Sequence, residues 1–349
     1  AAIDGRDEQW RYLDSNRLGG LDLETLVNRS QDLKVVAPAG FTSSMVDASD
    51  ASFGTAGLPE DLPTANAWAA ATQALKLTLD GEAAEPAFIN ANNLENSSAA
   101  HVIIQSKTHA RGTVVIDHTG TGRLAEIVEI IVGDESSLTV VSIQDWDDDA
   151  VHTSAQFARI GRNAKLKHVV ISLGGKTVRV TPTAEFTAPG SEVELLGLYF
   201  ADAGQHLEHR SYVDHAVANC KSRVTYKGAL QGKGAHTVWV GDVLIRKAAE
   251  GTDTYELNRN LLLTDGARAD SVPNLEIETG EIEGAGHASA SGRFDDEQLF
   301  YLQSRGLPED EAMAMIVRGF IEPIAKELPM EYAMELNKLI QMQMEGAVG

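Results

Sequence analysis

The stretch Glu283–Gly292, EGAGHASASG, holds one ionisable ring, His287, among residues with almost no side chain. A neutral imidazole is a good ligand for iron or zinc. Gly286, Ala288 and Ser289 leave room for another backbone or an ion to come close. One ligand makes no metal site, so the others must come from elsewhere, including a second chain; a purely structural histidine is the alternative. A second stretch, HLEHRSYVDHA, carries His206, His209, Asp214 and His215. On a strand His209 and His215 share a face, which invites a zinc reading. No fourth ligand follows at a recognisable spacing, and a polar turn with rim histidines is the expectation. A third, QDWDDDAVH, puts Asp145, Asp147, Asp148 and Asp149 near His152. Such a set suits a hard cation such as calcium. Adjacent acids point in several directions, however, so a solvated loop with Trp146 packed down is expected. Cys220 is the lone cysteine and reads as a small buried hydrophobe. No GxSxG, Walker A, HExxH or CxxC pattern is present.

The chain has 349 residues, a length that favours two or three domains, with 43% hydrophobic residues and a net charge of -22. That charge repels polyanions, so neither nucleic acid nor an anionic membrane is an expected partner. A single cysteine excludes a disulfide within the chain and suits a reducing cytoplasm. No 18-residue apolar run suggests a membrane span. The opening AAIDGRDEQW lacks the basic start and apolar centre of a signal peptide.

The elements that must position these residues change along the chain. PEDLPTANAWAAATQALKL has a proline start and an Ala-rich body and reads as a helix. DGEAAEPAFINANNLENSSAA is polar and broken, an irregular lead-in. From about residue 100 to 280, short β-branched runs such as GTVVIDH, LTVVSIQ and VELLGLYF dominate. Turn-then-strand units start at Gly133, Gly161, Gly190 and Asn219, a period of 28–29 residues. Their first residues tolerate a left-handed turn. A regular period in this range argues for a stacked β-solenoid, with an evenly spaced β-sandwich as the alternative. After Arg293, Asp295 or Asp296 can cap one helix that Gly306 ends. Pro308 starts a second, Pro323 is expected to stop it, and a third spans about Pro329–Met344. Six methionines, Met313, Met315, Met330, Met334, Met342 and Met344, fall in this segment, which suits either a small core or a docking face.

SRVTYKGAL (Ser222–Leu230), YELNRNLLLTDGARADSVPNLEI (Tyr255–Ile277), GHASASGRFDDEQLFYL around His287, and GRDEQWRY (Gly5–Tyr12) together resemble the SufB/SufD family of iron–sulfur cluster assembly proteins, and its SufD branch more than SufB. The resemblance implies a mainly β protein. A right-handed parallel β-helix over residues 96–292 would lie between a small mixed N-terminal domain (1–95) and C-terminal helices (293–349). It implies a non-catalytic scaffold that pairs with SufB through the end of the β-helix and docks the ABC-type ATPase SufC on its helices. His287 matches a histidine implicated in building a transient Fe–S cluster shared with SufB. The positions where relatives carry cysteine are Ala285 and Ala267 here, so the thiolates must come from the partner and the isolated chain is expected to hold no cofactor. Candidate partner-binding residues are Asn258, Arg259, Asn274, Phe300, Tyr301 and Arg305, with Met313 and Met315 of the methionine-rich helices. An isolated chain can also self-pair through the same surface. A β-helix carbohydrate lyase or hydrolase would instead line one strand face with carboxylates and usually carry a secretory signal, and neither is visible. A purely structural subunit, with His287 incidental, is the remaining alternative.

Overall fold

The computed structural model describes residues 7–341, apart from residues 24, 294, 329, 331, 332, 335, 337, 339 and 340. Two short strands, β1 (Val27–Asn28) and β2 (Lys34–Val36), precede an antiparallel pair, β3 (Phe41–Asp47) and β4 (Gln73–Leu79), which flanks helix α1 (Leu62–Ala70). Two long strands follow, β5 (Ala87–Ser106) and β6 (Arg111–Val132). Then come β7 (Ser137–Trp146), β8 (Val151–Ile160), β9 (Lys165–Ser172), β10 (Thr177–Phe186), β11 (Glu192–Ala201) and β12 (His206–His215). The last strands are β13 (Lys221–Leu230), β14 (His236–Ile245), β15 (Asp253–Leu262), β16 (Arg268–Ile277) and β17 (Gly284–Arg293), followed by helices α2 (Asp296–Ser304) and α3 (Glu309–Ala325).

Pairing from β5 onward is parallel, and from β7 each strand skips its neighbour in sequence. β7, β9, β11, β13, β15 and β17 form one ladder, and β8, β10, β12, β14 and β16 form the other. Two strands therefore make one turn of a parallel β-solenoid. β6 feeds both ladders, because Arg111–Gly120 pairs with β7 and Arg123–Val132 with β8. The chain changes ladder at Gly120 and Gly122, whose φ values of 78° and 155° suit glycine.

Side chains one turn apart confirm the period: Glu126 and Ser154 are 28 residues apart and Arg179 and Glu208 are 29 apart. The step lengthens to 32 between Ser222 and Thr254. The left-handed turn residues are Glu135, Asn163, Gly190 and Asn219. In the first two repeat units they fall two positions after the expected Gly133 and Gly161. Gly133 is needed for close approach instead, since a Cβ there would lie 2.6 Å from the Ser106 carbonyl oxygen.

Three expectations need correction. The helix read through Leu77 stops at Ala70, and Gln73–Leu79 is a strand. There Leu75, Leu77 and Leu79 are buried at a spacing of two, a strand period that overrides the helix propensity of the stretch. The polar lead-in is part of β5, which begins at Ala87 and crosses the boundary expected at residue 96. Pro323 does not stop α3, which continues to Ala325. The carbonyl that a proline ring crowds four residues back belongs to Gly319, which has no side chain to add to the crowding.

Helix α3 packs Ala314, Val317, Ile321 and Ile324 on the outer face of the first ladder, against Val141, Val169 and Leu198. Helix α1 covers the second ladder, with Ala67 in one cluster with Ala99, Ala125 and Phe157. Residues 330, 333, 334, 336, 338 and 341 of the expected third helix are helical, whereas Met342 and Met344 lie outside the described residues. No described helix is long and apolar enough to cross a membrane.

Candidate functional site at the open end of the solenoid

β17 is the last strand of its ladder. It pairs with β15 on one edge, and no described strand pairs with its other edge. Successive side chains alternate faces. Asn260 Nδ2 donates to Ser291 Oγ at 3.0 Å, and Ala285 packs on the central core, so Ala285, His287, Ser289 and Ser291 share the inward parity. His287 thus caps the interior from the open end and is exposed because no turn follows it. On the other parity, Gly286 lies under the Tyr255 ring, which would meet a Cβ at 3.3 Å. A Cβ on Gly292 would meet nothing within 4 Å, and one on Gly284 only an Asp253 carboxylate oxygen at 4.0 Å.

Directly beneath His287 in the register is Glu256. It is buried, and both carboxyl oxygens lack a hydrogen-bond partner. Its carboxyl reaches across to the opposite ladder, where a Cβ on Gly241 would lie 2.6 Å from Oε1. Burial, with a smaller push from the Asp242 carboxylate, raises its pKa to about 8, so at neutral pH it is a neutral acid. Beside it, Asn258 donates to the Tyr199 hydroxyl at 2.8 Å and to the Tyr226 carbonyl at 3.1 Å. Asn258 is therefore an internal residue, which corrects its expected place at a partner surface. Arg259 is exposed, and exposed Asn274 donates to Asp242 at 2.7 Å on the outer rim.

At the helical end, Phe300 is 72% and Tyr301 55% exposed, and the Arg305 guanidinium lies 5.0 Å from the Tyr301 ring centre. Met315 is exposed, whereas Met313 is half-buried against the α3 core. The sequence grouped these two methionines, and the helix turns them to different faces.

The histidine-rich stretch is not a turn. It is β12, and His206, His209 and His215 are all buried. They do not converge on an ion. His209 Nε2 meets Ser172 Oγ at 2.9 Å and stacks on Tyr199, while His215 Nε2 meets Ser222 Oγ at 2.8 Å. His206 contacts Glu208 and His236. Cys220 is buried at the start of its repeat, as expected of a small hydrophobe. Asp147, Asp148 and Asp149 form the solvated turn and Trp146 packs inward, but His152 is fully buried.

His152 joins an internal group that sequence reading missed, with His118 and Glu126; their ligand atoms lie within 4.8 Å of one another. His118 Nδ1 donates to the Ile143 carbonyl at 2.8 Å and Nε2 to Glu126 at 3.1 Å. Burial pulls His118 down, yet the Glu126 carboxylate outweighs it and holds the ring above its usual pKa. Trp146 Nε1 donates to His152 Nδ1 at 3.1 Å, which leaves the ring proton of neutral His152 on Nε2, facing Glu126. That tautomer offers no lone pair to an ion. The group is a buried ion pair with a neutral neighbour. Its one sequence signal is the period, which sets Leu124 beside His152 one turn on.

The geometry is that of a parallel β-solenoid whose last strand has one edge unpaired among the described residues, with exposed His287 on its inner face. The chain matches the family model described as "SUF system FeS cluster assembly, SufBD core domain" over residues 88–320. It is 50% identical over 353 residues to an iron–sulfur cluster assembly SufBD family protein of Mycobacterium bovis, covering 98% of this chain and 89% of that protein. A Mycobacterium leprae protein with the same description is 49% identical over 335 residues, covering 93% and 86%. A second Mycobacterium leprae family protein is 39% identical over 223 residues, 64% of this chain and 25% of its own length. The chain belongs to the SufBD family of iron–sulfur cluster assembly proteins.

Proposed function

We propose that this chain is a SufD-like, non-catalytic scaffold subunit of the SUF assembly complex. Its open solenoid end pairs with a SufB-like subunit, and its C-terminal helices dock a SufC-like ABC ATPase. The cluster is cargo, built transiently at the shared end, with His287 contributed by this chain. The observation that carries the reading is His287 itself, exposed on the inner face of a strand whose outer edge is unpaired among the described residues. An open parallel edge favours strand addition by another chain, and the glycines of β17 let that chain come close. The only cysteine is buried Cys220, so the thiolates that clusters normally need come from the partner. Phe300, Tyr301, Arg305 and Met315 supply an exposed, partly apolar helical face for the ATPase. The reading places the protein's work in the reducing cytoplasm.

The test is co-purification with SufB-like and SufC-like partners, wild type and His287→Ala, followed by anaerobic cluster reconstitution read by visible absorbance. The expected result is a His287→Ala complex that assembles and forms no cluster. Normal cluster formation by that variant would leave a purely structural subunit. A wild-type chain that binds neither partner, or only itself, would overturn the scaffold reading.

A further inference from the structure

Glu256 stands one turn inside His287 with the same inward parity. Neighbouring strands in a ladder lie about 4.8 Å apart, so an imidazole and a carboxylate at these two positions can reach one ion between them. In the resting structure the carboxyl is folded inward over Gly241 and makes no hydrogen bond, cap or ion pair. The indole Nε1 of Trp239, whose ring also borders Gly241, is buried and unpartnered as well. A buried carboxyl with no partner costs stability, and nothing in the fold uses it. Leaving its slot would break no hydrogen bond.

We infer that Glu256 is a second ligand of the His287 site: its side chain turns outward along the inner face to join His287 on a divalent transition-metal ion of the ferrous type that cluster building consumes. The inference rests on the reading of His287 given above. Nitrogen and oxygen donors together suit such an ion. The step balances as a proton exchange. The neutral carboxyl gives its proton to solvent, binds as carboxylate, and the metal keeps its oxidation state.

The groups around Glu256 leave its carboxyl without a competing partner. His287 faces it from β17 and Gly241 from β14, while Asp242 beside that glycine points to the outer rim. On β13 beneath, the residue in register is Val224. On β16, Asp270 is already paired with His236 and Arg268. Among the described residues no side chain hydrogen-bonds or pairs with the Glu256 carboxyl.

The experiment uses the complex of this chain with its SufB-like partner, as wild type, Glu256→Gln and His287→Ala, with ferrous iron alone as the probe. Anaerobic equilibrium dialysis gives affinity, and calorimetry in two buffers of different ionisation enthalpy gives the protons released at pH 7. Glutamine copies the neutral carboxyl, so Glu256→Gln should keep the fold, with co-purification and melting temperature as the check. The expected result is iron binding weakened at least about 10-fold, with about one fewer proton released than in wild type. Glu256→Gln with wild-type affinity and proton release would overturn this inference alone. His287→Ala with wild-type affinity would overturn the functional reading beneath it. No iron binding by the wild-type complex would overturn both.

Discussion

Asn260 and Ser291 are hydrogen-bonded across the last turn of the solenoid, Nδ2 to Oγ at 3.0 Å. The same carboxamide accepts from the Tyr199 hydroxyl at 2.7 Å and donates to Asn258 at 2.8 Å. This contact ties the terminal strand's parity to the interior. A slip of one residue would turn His287 to the opposite face. Asn260→Leu therefore leaves the Tyr199 hydroxyl buried without its acceptor and loosens β17. The expected cost is about 1–3 kcal/mol, read by urea unfolding. Hydrogen exchange should show faster exchange in β17 than in β11, and equal loss of protection in both would refute the local role.

Acidification should unfold the protein through its neutral interior histidines. Burial lowers His152, His168 and His215 to about 4 and His209 to about 3. Unfolded histidine titrates near 6.5, so below that pH the unfolded chain takes up protons that the folded chain refuses. Stability falls as pH drops from about 6.5 to 4, by up to about 3 kcal/mol for each such group. His118, held above its usual value, works the other way: its contribution is complete below about 6.5 and fades as pH rises through its folded pKa. A His209→Phe variant should show a shallower loss of melting temperature between pH 6.5 and 4. An unchanged slope would mean His209 is protonated in the fold.

The repeat was legible because turn chemistry recurs: a left-handed residue every 27 to 29 positions, at or near a glycine or asparagine, leaves its mark on composition before any packing is known. The histidines of β12 were misread because a polar strand buried in a solenoid resembles a turn when only hydrophobicity is followed. His206, Glu208 and His209 are buried by their partners on other turns, and those partners lie 29 to 37 residues away. The Glu126 group was invisible because the change of ladder at Gly120 and Gly122 brings His118 and Glu126 of one strand together with His152 of the next turn. His287 was legible because isolation among small residues is itself a local feature. Asn258 was misplaced because the motif that contains it alternates inward and outward residues, and recognition of the motif does not say which is which.

Glu256 makes the opposite pH prediction to the histidines. Its folded pKa of about 8 lies above the usual glutamate value, so folding takes up a proton where the unfolded chain has lost it. The fold carries no such penalty below about pH 4.5, and the penalty grows as pH rises toward 8. Glu256→Gln removes the titration. Its melting temperature should match wild type near pH 4.5 and exceed it by about 2 °C or more at pH 8. Equal melting curves at pH 8 would mean that the folded carboxyl is not held above its usual pKa.

Arg179 locks the N-terminal segment to the barrel wall. Its guanidinium lies 4.0 Å from the Trp10 ring centre, donates to the Gln9 carbonyl at 2.8 Å and to Glu208 at 3.0 Å. Glu208 is fully buried; burial pushes it up, but Arg179 foremost brings it down to about 2. Arg179→Met strips that carboxylate of its main partner at an expected cost of about 3–5 kcal/mol. Trp10→Ala leaves the ion pair in place and should cost less, while exposing the first residues to protease. Equal destabilisation by the two variants would show that the segment, not the ion pair, carries the energy.

On the proposed function, Met313 and Met315 would separate folding from docking on one helix. Met313 packs against the cluster that seats α3 on the solenoid, where Val317 and Ile321 are buried. Met315 is 56% exposed and leaves that cluster untouched. Met313→Ala should therefore lower stability by about 1–2 kcal/mol, with docking affinity falling only as far as α3 loosens. Met315→Ala should leave unfolding within about 0.5 kcal/mol of wild type and weaken binding of the SufC-like ATPase. Phe300→Ala on α2 should do the same, because its 72% exposed ring makes little contact with the fold. Paired urea melts and pull-downs with the ATPase distinguish the cases. If Met315→Ala and Phe300→Ala both bind the ATPase with wild-type affinity, the proposed docking face is overturned.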